Sequence, residues 1–184
     1  YDGIPINKID ISTLRSQISY VPQDIFLFSE TVSNNIRFGH NDAATDMVTK
    51  AAKQASIHNE IEKFRQGYNT MVGERGVTLS GGQKQRISIA RALIKDPRIV
   101  IFDDCLSAVD ARTEKEIIGN LYQFLDDKTA IIITHRIFSL FNFDKIIVID
   151  EGKIVEQGNH SQLLELNGYY ADMYNRQQEQ DKEI

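Results

Sequence analysis

The sequence predicts an α/β protein whose parallel sheet is interrupted by a block of helices. Ile99-Val100-Ile101-Phe102 and Ala130-Ile131-Ile132-Ile133 are continuous apolar runs, the pattern of parallel strands buried on both faces. Between them Ile117, Ile118, Leu121 and Leu125 fall on one face of a helix, so the whole reads as a right-handed βαβ unit. From about Asp42 to Ile94 the apolar spacing is helical, which marks an inserted subdomain.

The elements follow in order. The chain is loop-like through Pro5, and Ile18 to Val21 is a short strand stopped by Pro22-Gln23-Asp24, which leaves Gln23 at a strand end. Ala44, Met47, Val48, Ala51, Ala52 and Ala55 predict a helix with Asp42 as its cap, and Ile57, Ile61 and Phe64 predict a shorter one. Gln66-Gly67-Tyr68 breaks the pattern, and Gly73 and Gly76 mark a turn-rich connection up to Leu79. Ser80 opens a third helix with Ile87, Ala90, Leu93 and Ile94 on its inner face, ending before Asp96-Pro97 because a residue before proline avoids the helical region. After the βαβ unit, Ile146 to Ile149, a Glu151-Gly152 turn and Ile154-Val155 predict a hairpin, followed by two short helices near Leu163 and Tyr170 and a polar tail after Arg176 that frays.

Composition narrows the function. The chain has 184 residues, 41% hydrophobic and 26% charged, the make-up of about one globular domain. Its 21 Lys and Arg against 26 Asp and Glu give a net charge of −5, so no basic field holds nucleic acid or anionic lipid. No apolar run approaches the roughly 18 residues of a membrane helix. Cys105, the only cysteine, precludes an internal disulfide and reads as a small buried residue, and no secretory segment is present, so a reducing cytosol is the default. Tyr rather than Met at position 1 points to a piece of something longer.

Several motifs carry chemistry. In Leu79-Ser80-Gly81-Gly82-Gln83, two glycines in a first helical turn cost about 1 kcal/mol each relative to alanine. A glycine-rich turn before a helix is one reading. The other is access: without Cβ atoms an anion can reach the unpaired amides, where the helix dipole favours it, and Ser80 can cap the helix or donate its hydroxyl to that anion. Asp103 and Asp104 follow a buried strand, the position at which open α/β sheets bind ligands; Asp103 suits magnesium on a nucleotide phosphate and Asp104 the neighbourhood of an attacking water. Two solvated turn aspartates would give the same pattern in isolation. His135 ends the Ile131-Ile132-Ile133-Thr134 run at the same sheet edge and could donate to a γ-phosphate or orient water. His40 and His58 lack such placement, and His160 is predicted to help cap the helix after it.

Taken in order, Tyr20-Val21-Pro22-Gln23, Val72-Gly73-Glu74-Arg75-Gly76, Leu79 to Gln83, Phe102-Asp103-Asp104, Ser107-Ala108-Val109-Asp110 and Thr134-His135-Arg136 resemble the nucleotide-binding domain of an ABC transporter of exporter type, over essentially the whole chain. The resemblance implies a P-loop NTPase (RecA-like) core with an inserted all-helical subdomain. Residues 1–40 would be the Q-loop region of the core, 41–95 the helical subdomain with the signature, 96–160 the core with Walker B, D-loop and H-loop, and 161–184 the C-terminal helices and tail. Gln23 is then the Q-loop glutamine, sensing magnesium and the transported subunit. Ser80, Gly81, Gly82 and Gln83 are the signature that contacts ATP held by the opposite subunit. Asp103 is the Walker B carboxylate for Mg2+, largely through water and with Gln23; Asp110 belongs to the D-loop, and His135 is the switch histidine. The implied partners are ATP, a second nucleotide-binding domain in a head-to-tail homo- or heterodimer, and the coupling helices of a transmembrane domain, met through Gln23 and the Val72 to Gly76 loop. No nucleic acid is among them. The implied location is the cytoplasmic face of the cell membrane, within an integral membrane transporter.

Two departures qualify this. The family has Glu where this chain has Asp104, one methylene shorter, so the carboxylate retreats by roughly 1.5 Å, and misplacement on that scale costs about a hundredfold in rate. The stretch from Asp103 to Asp110, beside an intact signature, resembles the degenerate half of a heterodimeric multidrug-type exporter. Second, no Gly-x-x-x-x-Gly-Lys-Ser/Thr occurs. The resemblance therefore implies truncation after the P-loop, with the P-loop strand and part of the antiparallel β subdomain missing, exposed sheet edges and apolar surface, and no tight hold on MgATP by these residues alone. Alternatives are a regulatory module that holds ATP without turnover and an ABC ATPase of DNA repair or translation. The compact block between Gln23 and Leu79, the exporter-type loop and the acidic balance argue against the last.

Overall fold

In the computed structural model the described residues are 1–73, 76–106, 109, 111–137 and 142–182. They form two units, Tyr1–Ile133 and Thr134–Ile184.

Short helices with polar caps open the first unit. Asp10 accepts the Thr13 N–H at 3.0 Å and starts α1 (Ile11–Gln17), which runs directly into β1 (Ile18–Val21). Thr31 caps α2 (Val32–Arg37) in the same way. Neither helix was visible in the sequence pattern, because at one to two turns neither shows a periodicity. Next come α3 (Thr45–Gln54) and α4 (His58–Ile61). The cap assigned to Asp42 is corrected: Ala44 occupies the cap position with no side-chain bond, and the chain between the two residues turns before the helix begins.

The long helix α5 (Gly81–Leu93) is the hub of this unit, packing on α2, α3 and β1. Its Ile87, Ile89 and Leu93 are buried with Ile36, Val48 and Ala52. Then follow β2 (Ile99–Asp103), α6 (Ala111–Leu125) and β3 (Thr129–Ile133). The sheet order is β1-β2-β3, all parallel, with Val21 opposite Phe102 and Asp103 opposite Ile133. On α6 the predicted inner face of Ile117, Ile118, Leu121 and Leu125 is buried.

Burial on both faces, predicted for β2 and β3, does not hold for β3. On β2 burial alternates, with Val100 and Phe102 inside, whereas on β3 Ile131 is 46% and Ile133 50% exposed. An apolar run records suitability for a dry environment, but the layers on either face must come from other segments. The described residues leave β3 largely uncovered, which agrees with the predicted exposure of apolar surface.

In the second unit β4 (Ile146–Asp150) and β5 (Lys153–Gly158) form the predicted hairpin. Its turn residues Glu151 and Gly152 have φ of 45° and 74°, the left-handed pair that a tight hairpin requires. The helices α7 (His160–Glu165) and α8 (Tyr169–Lys182) follow, and Ile137, Val148, Leu163 and Tyr170 share a core. The predicted role of His160 is corrected: Asn159 caps α7 in a reciprocal capping box with Gln162, while His160 Nδ1 lies 2.7 Å from the Tyr170 hydroxyl. Asn is among the strongest capping residues, and it stands one position earlier. Nor does the chain leave the helix after Arg176, since α8 continues to Lys182 with an Arg176–Asp172 ion pair of 2.7 Å one turn apart.

Candidate functional site

Parallel pairing of β1 and β2 brings the residues that follow both strands to one edge of the sheet. There Gln23, exposed beyond Pro22, donates from Nε2 to Asp104 Oδ2 at 3.4 Å. Tyr20 and Asp103 lie on the same face of the sheet, since Tyr20 pairs with Ile101 and side chains alternate. The Tyr20 hydroxyl donates to Asp103 Oδ2 at 2.7 Å. That bond, aided by desolvation and by the Asp103 charge, raises the phenol above its usual range. Asp104 is held from the other side: its N–H donates to Ile133 O at 2.8 Å, and its φ of 41° places it in the left-handed region, which aspartate tolerates better than most residues. Cys105 is buried, and burial pushes its thiol up to about 12, with the charges of Asp104 and Asp103 adding to the rise. It is a packing residue, as the sequence indicated, and not a nucleophile.

Two carboxylates and an amide at one edge are hard oxygen donors, the set magnesium accepts when substrate phosphates complete its shell. Among the described residues no three acidic, histidine or cysteine side chains converge as a protein-only metal site would require. These donors fit magnesium carried on a nucleotide.

Ser80 sits where the sequence placed it, at the cap of α5. Its Oγ accepts the Gln83 N–H at 3.2 Å, and Gln83 Oε1 accepts the Ser80 N–H at 2.9 Å. The sequence reading gave Gln83 to a nucleotide, whereas both ends of its side chain have partners within the protein, because Nε2 donates to Glu60 Oε2 at 2.9 Å. A Ser-x-x-Gln spacing at a helix start is the signal that could have revealed this role of Gln83. Glu60 and Arg86, which join it, and Arg91 and Asn35, which tie α5 to the chain after Gln23, were not among the sequence candidates.

The Val72 to Gly76 loop is fixed at its base: Val72 N–H donates to Glu30 O at 3.0 Å and Val77 N–H to Met71 O at 2.9 Å. Glycine is required at both bends, since Gly73 has φ of 105° and a Cβ on Gly76 would come within 2.2 Å of the Met71 carbonyl oxygen. Glu74 and Arg75 of this loop lie outside the described residues, as do Ser107, Ala108 and Asp110. His135 belongs to the second unit, where it is exposed. Of the predicted site residues, Gln23 and Asp104 are thus in direct contact, with Asp103 adjacent in the chain.

The order of these features is that of a nucleotide-binding domain, and the ABC transporter family model matches residues 1–107. The chain belongs to the ABC transporter family. It is 49% identical over 178 residues to the probable multidrug resistance ABC transporter ATP-binding/permease protein YheI of Bacillus subtilis, covering 97% of this chain and 30% of that protein. An ATP-dependent lipid A-core flippase of Legionella pneumophila is 46% identical over 177 residues, or 96% of this chain and 30% of the flippase. Among solved structures, a bacterial Atm1-family ABC exporter with ATP bound superposes with a TM-score of 0.88 at 43% identity, covering 96% of this chain and 31% of that one. The chain thus spans under a third of the length of these relatives. Its parallel sheet with flanking helices is the α/β P-loop NTPase fold of the family.

Proposed function

We propose that the chain is the part of an ABC exporter subunit that bears the signature and the Walker B carboxylate, coupling ATP-driven closure of a head-to-tail dimer to export across a membrane. The observation that carries this reading is the bond from Gln23 to Asp104, beside Asp103, at the carboxyl ends of adjacent parallel strands. The relatives support it: one is named for multidrug resistance, another for flipping lipid A-core, and a third was solved with ATP bound.

In this reading Asp103 and Gln23 hold Mg2+ largely through water, and the bound ion would neutralise charge on the nucleotide phosphates. Asp104 lies nearest the attacking water, and His135 donates to the γ-phosphate or orients that water. Ser80, Gly81 and Gly82 contact ATP held by the opposite subunit, with Gln83 shaping the turn, and Asp110 faces the dimer interface. Gln23 and the Val72 to Gly76 loop meet the transmembrane coupling helices at the cytoplasmic face of the membrane. No helix among the described residues is long and apolar enough to cross a membrane. The phosphate cradle of a P-loop is absent from these 184 residues, so the isolated chain neither holds MgATP tightly nor turns it over. Domain boundaries at 1–40, 41–95, 96–160 and 161–184 belong to the same proposal.

Asp104 favours a second reading for this subunit's own site, a regulatory site that holds ATP without turnover while the signature serves the partner's site. Ser80→Arg in the full-length transporter tests the main reading. Collapse of ATP turnover is the expected result, because the substitution fills the turn that meets the γ-phosphate. Turnover at the unmodified level would show that the signature plays no part in hydrolysis.

A further inference from the structure

Glycine gives the signature turn access but no means of holding its own shape. The two glycines at 81 and 82 constrain the backbone least of all residues, yet a γ-phosphate site needs its donors fixed to within a fraction of an ångström. The capping box ties Ser80 to Gln83 only within the turn itself. What anchors the turn to the rest of the protein lies elsewhere.

Arg86, 7% exposed, extends beneath the turn. Its Nε donates to the Gly82 carbonyl at 3.2 Å, and the terminal nitrogen Nη1 donates to Ser56 O at 2.8 Å and Glu60 Oε1 at 2.5 Å. Glu60, on α4, uses its other oxygen to accept from Gln83 Nε2 at 2.9 Å. One carboxylate therefore grips two side chains of α5, and each of those grips the turn from one side: Gln83 holds the Ser80 N–H and Arg86 the Gly82 carbonyl. Burial works to raise the Glu60 carboxyl, but the hydrogen bonds from Arg86 and Gln83 outweigh it and leave the group below its ordinary range, charged at neutral pH. Ser80 Oγ meanwhile accepts from the Gln83 N–H, so its own hydrogen is left to donate.

We propose that Glu60 is a positioning residue for the signature turn, holding Ser80 and Gly82, through Gln83 and Arg86, in the arrangement that meets a nucleotide γ-phosphate. The proposal rests on the reading of Ser80 to Gln83 as an ATP-contacting turn. It gives Glu60 no contact with nucleotide. Arg86 and Gln83 donate to different carboxylate oxygens, so a glutamine at 60 turns its NH2 group toward one of the two donors and loses that bond.

The test uses the full-length transporter that contains this chain, with Glu60→Gln and Glu60→Ala, and with Ser80→Arg as reference. Two quantities are read: maximal ATP turnover and affinity for ADP, which lacks the γ-phosphate. Expected are a fall in kcat of about tenfold or more for Glu60→Ala, toward the hundredfold that a 1 Å misplacement can cost, an intermediate fall for Glu60→Gln, and unchanged ADP affinity in both. General damage to the fold would lower ADP binding in step with turnover, and that result overturns the proposal. So does turnover at the parent level in both Glu60 variants while Ser80→Arg abolishes it, which leaves the signature reading intact. Full turnover in Ser80→Arg removes that reading and the Glu60 role with it.

Discussion

At the scale of single residues, the proposed impairment of this site turns on Asp104, one methylene shorter than the glutamate that the resemblance implies. Its backbone is fixed by the bond from its N–H to Ile133 O and by its left-handed φ, so the side chain cannot recover the missing methylene by a backbone shift. The carboxylate instead accepts from Gln23, which ties the residue proposed to lie nearest the attacking water to the loop proposed to sense the transmembrane partner. Asp104→Glu in the full-length transporter is expected to raise ATP turnover, by up to about a hundredfold if the roughly 1.5 Å retreat is the sole defect. A steady-state rate equal to or below that of the parent would contradict this. Much of the sheet-edge site was legible in the sequence, because a polar residue directly after an apolar run must lie at a strand end, and Gln23, Asp103 and Asp104 all do. The Glu60–Arg86 pair was not legible, since 26 residues of chain separate its members and no local pattern records a contact that only the packing of α4 on its neighbours creates.

Elements obey the same distinction. The βαβ unit and α5 could be read in advance because their apolar periodicity spans many residues, whereas α1 and α2 could not, at 7 and 6 residues, and depend on the caps Asp10 and Thr31. What joins these elements is again invisible to periodicity. Arg91 of α5 donates from Nε to Asn35 O at 2.8 Å, from Nη2 to Asn35 Oδ1 at 2.9 Å and from Nη1 to Phe26 O at 3.0 Å, with its guanidinium against the Phe28 and Phe38 rings. Burial lowers its pKa, yet the planar fork remains matched to acceptors on two segments. Asn35, fully buried, completes the tie by bonding both the N–H and the carbonyl of Phe28. Helix α5 is thus fastened to the chain shortly after Gln23. Lysine at 91 keeps the charge but loses the fork. A hydrogen bond to a charged group contributes about 1.5–3 kcal/mol, so Arg91→Lys is expected to speed amide hydrogen exchange across residues 26–38 by about tenfold or more at 25 °C. Exchange at the parent rate in that segment would mean that the aromatic contacts alone hold it.

At the scale of the whole molecule, the balance between apolar exposure and charge governs how the isolated chain behaves. On the first unit Ile131 and Ile133 of β3 are about half exposed. On the second, Ile147, Ile149, Ile154 and Val155 of the hairpin are exposed between 48% and 67%. Taking such a side chain from full exposure to full burial is worth about 1.5–3 kcal/mol, of which about half remains to be gained here, and β3 adds an edge whose backbone groups can pair with another strand. Opposing this is a net charge of −5 spread over 184 residues, a repulsion that salt screens within about 10 Å at 0.1 M. Burial gains persist in salt while the repulsion does not, so the 184-residue chain is expected to self-associate at micromolar concentration, and more strongly as ionic strength rises. Ile133→Lys, which places a charge on the exposed face of β3, should shift sedimentation velocity profiles toward monomer. A single monomeric species in 0.5 M salt would show that the exposed apolar surface does not drive assembly, and association that weakens as salt is added would show that charge pairing does.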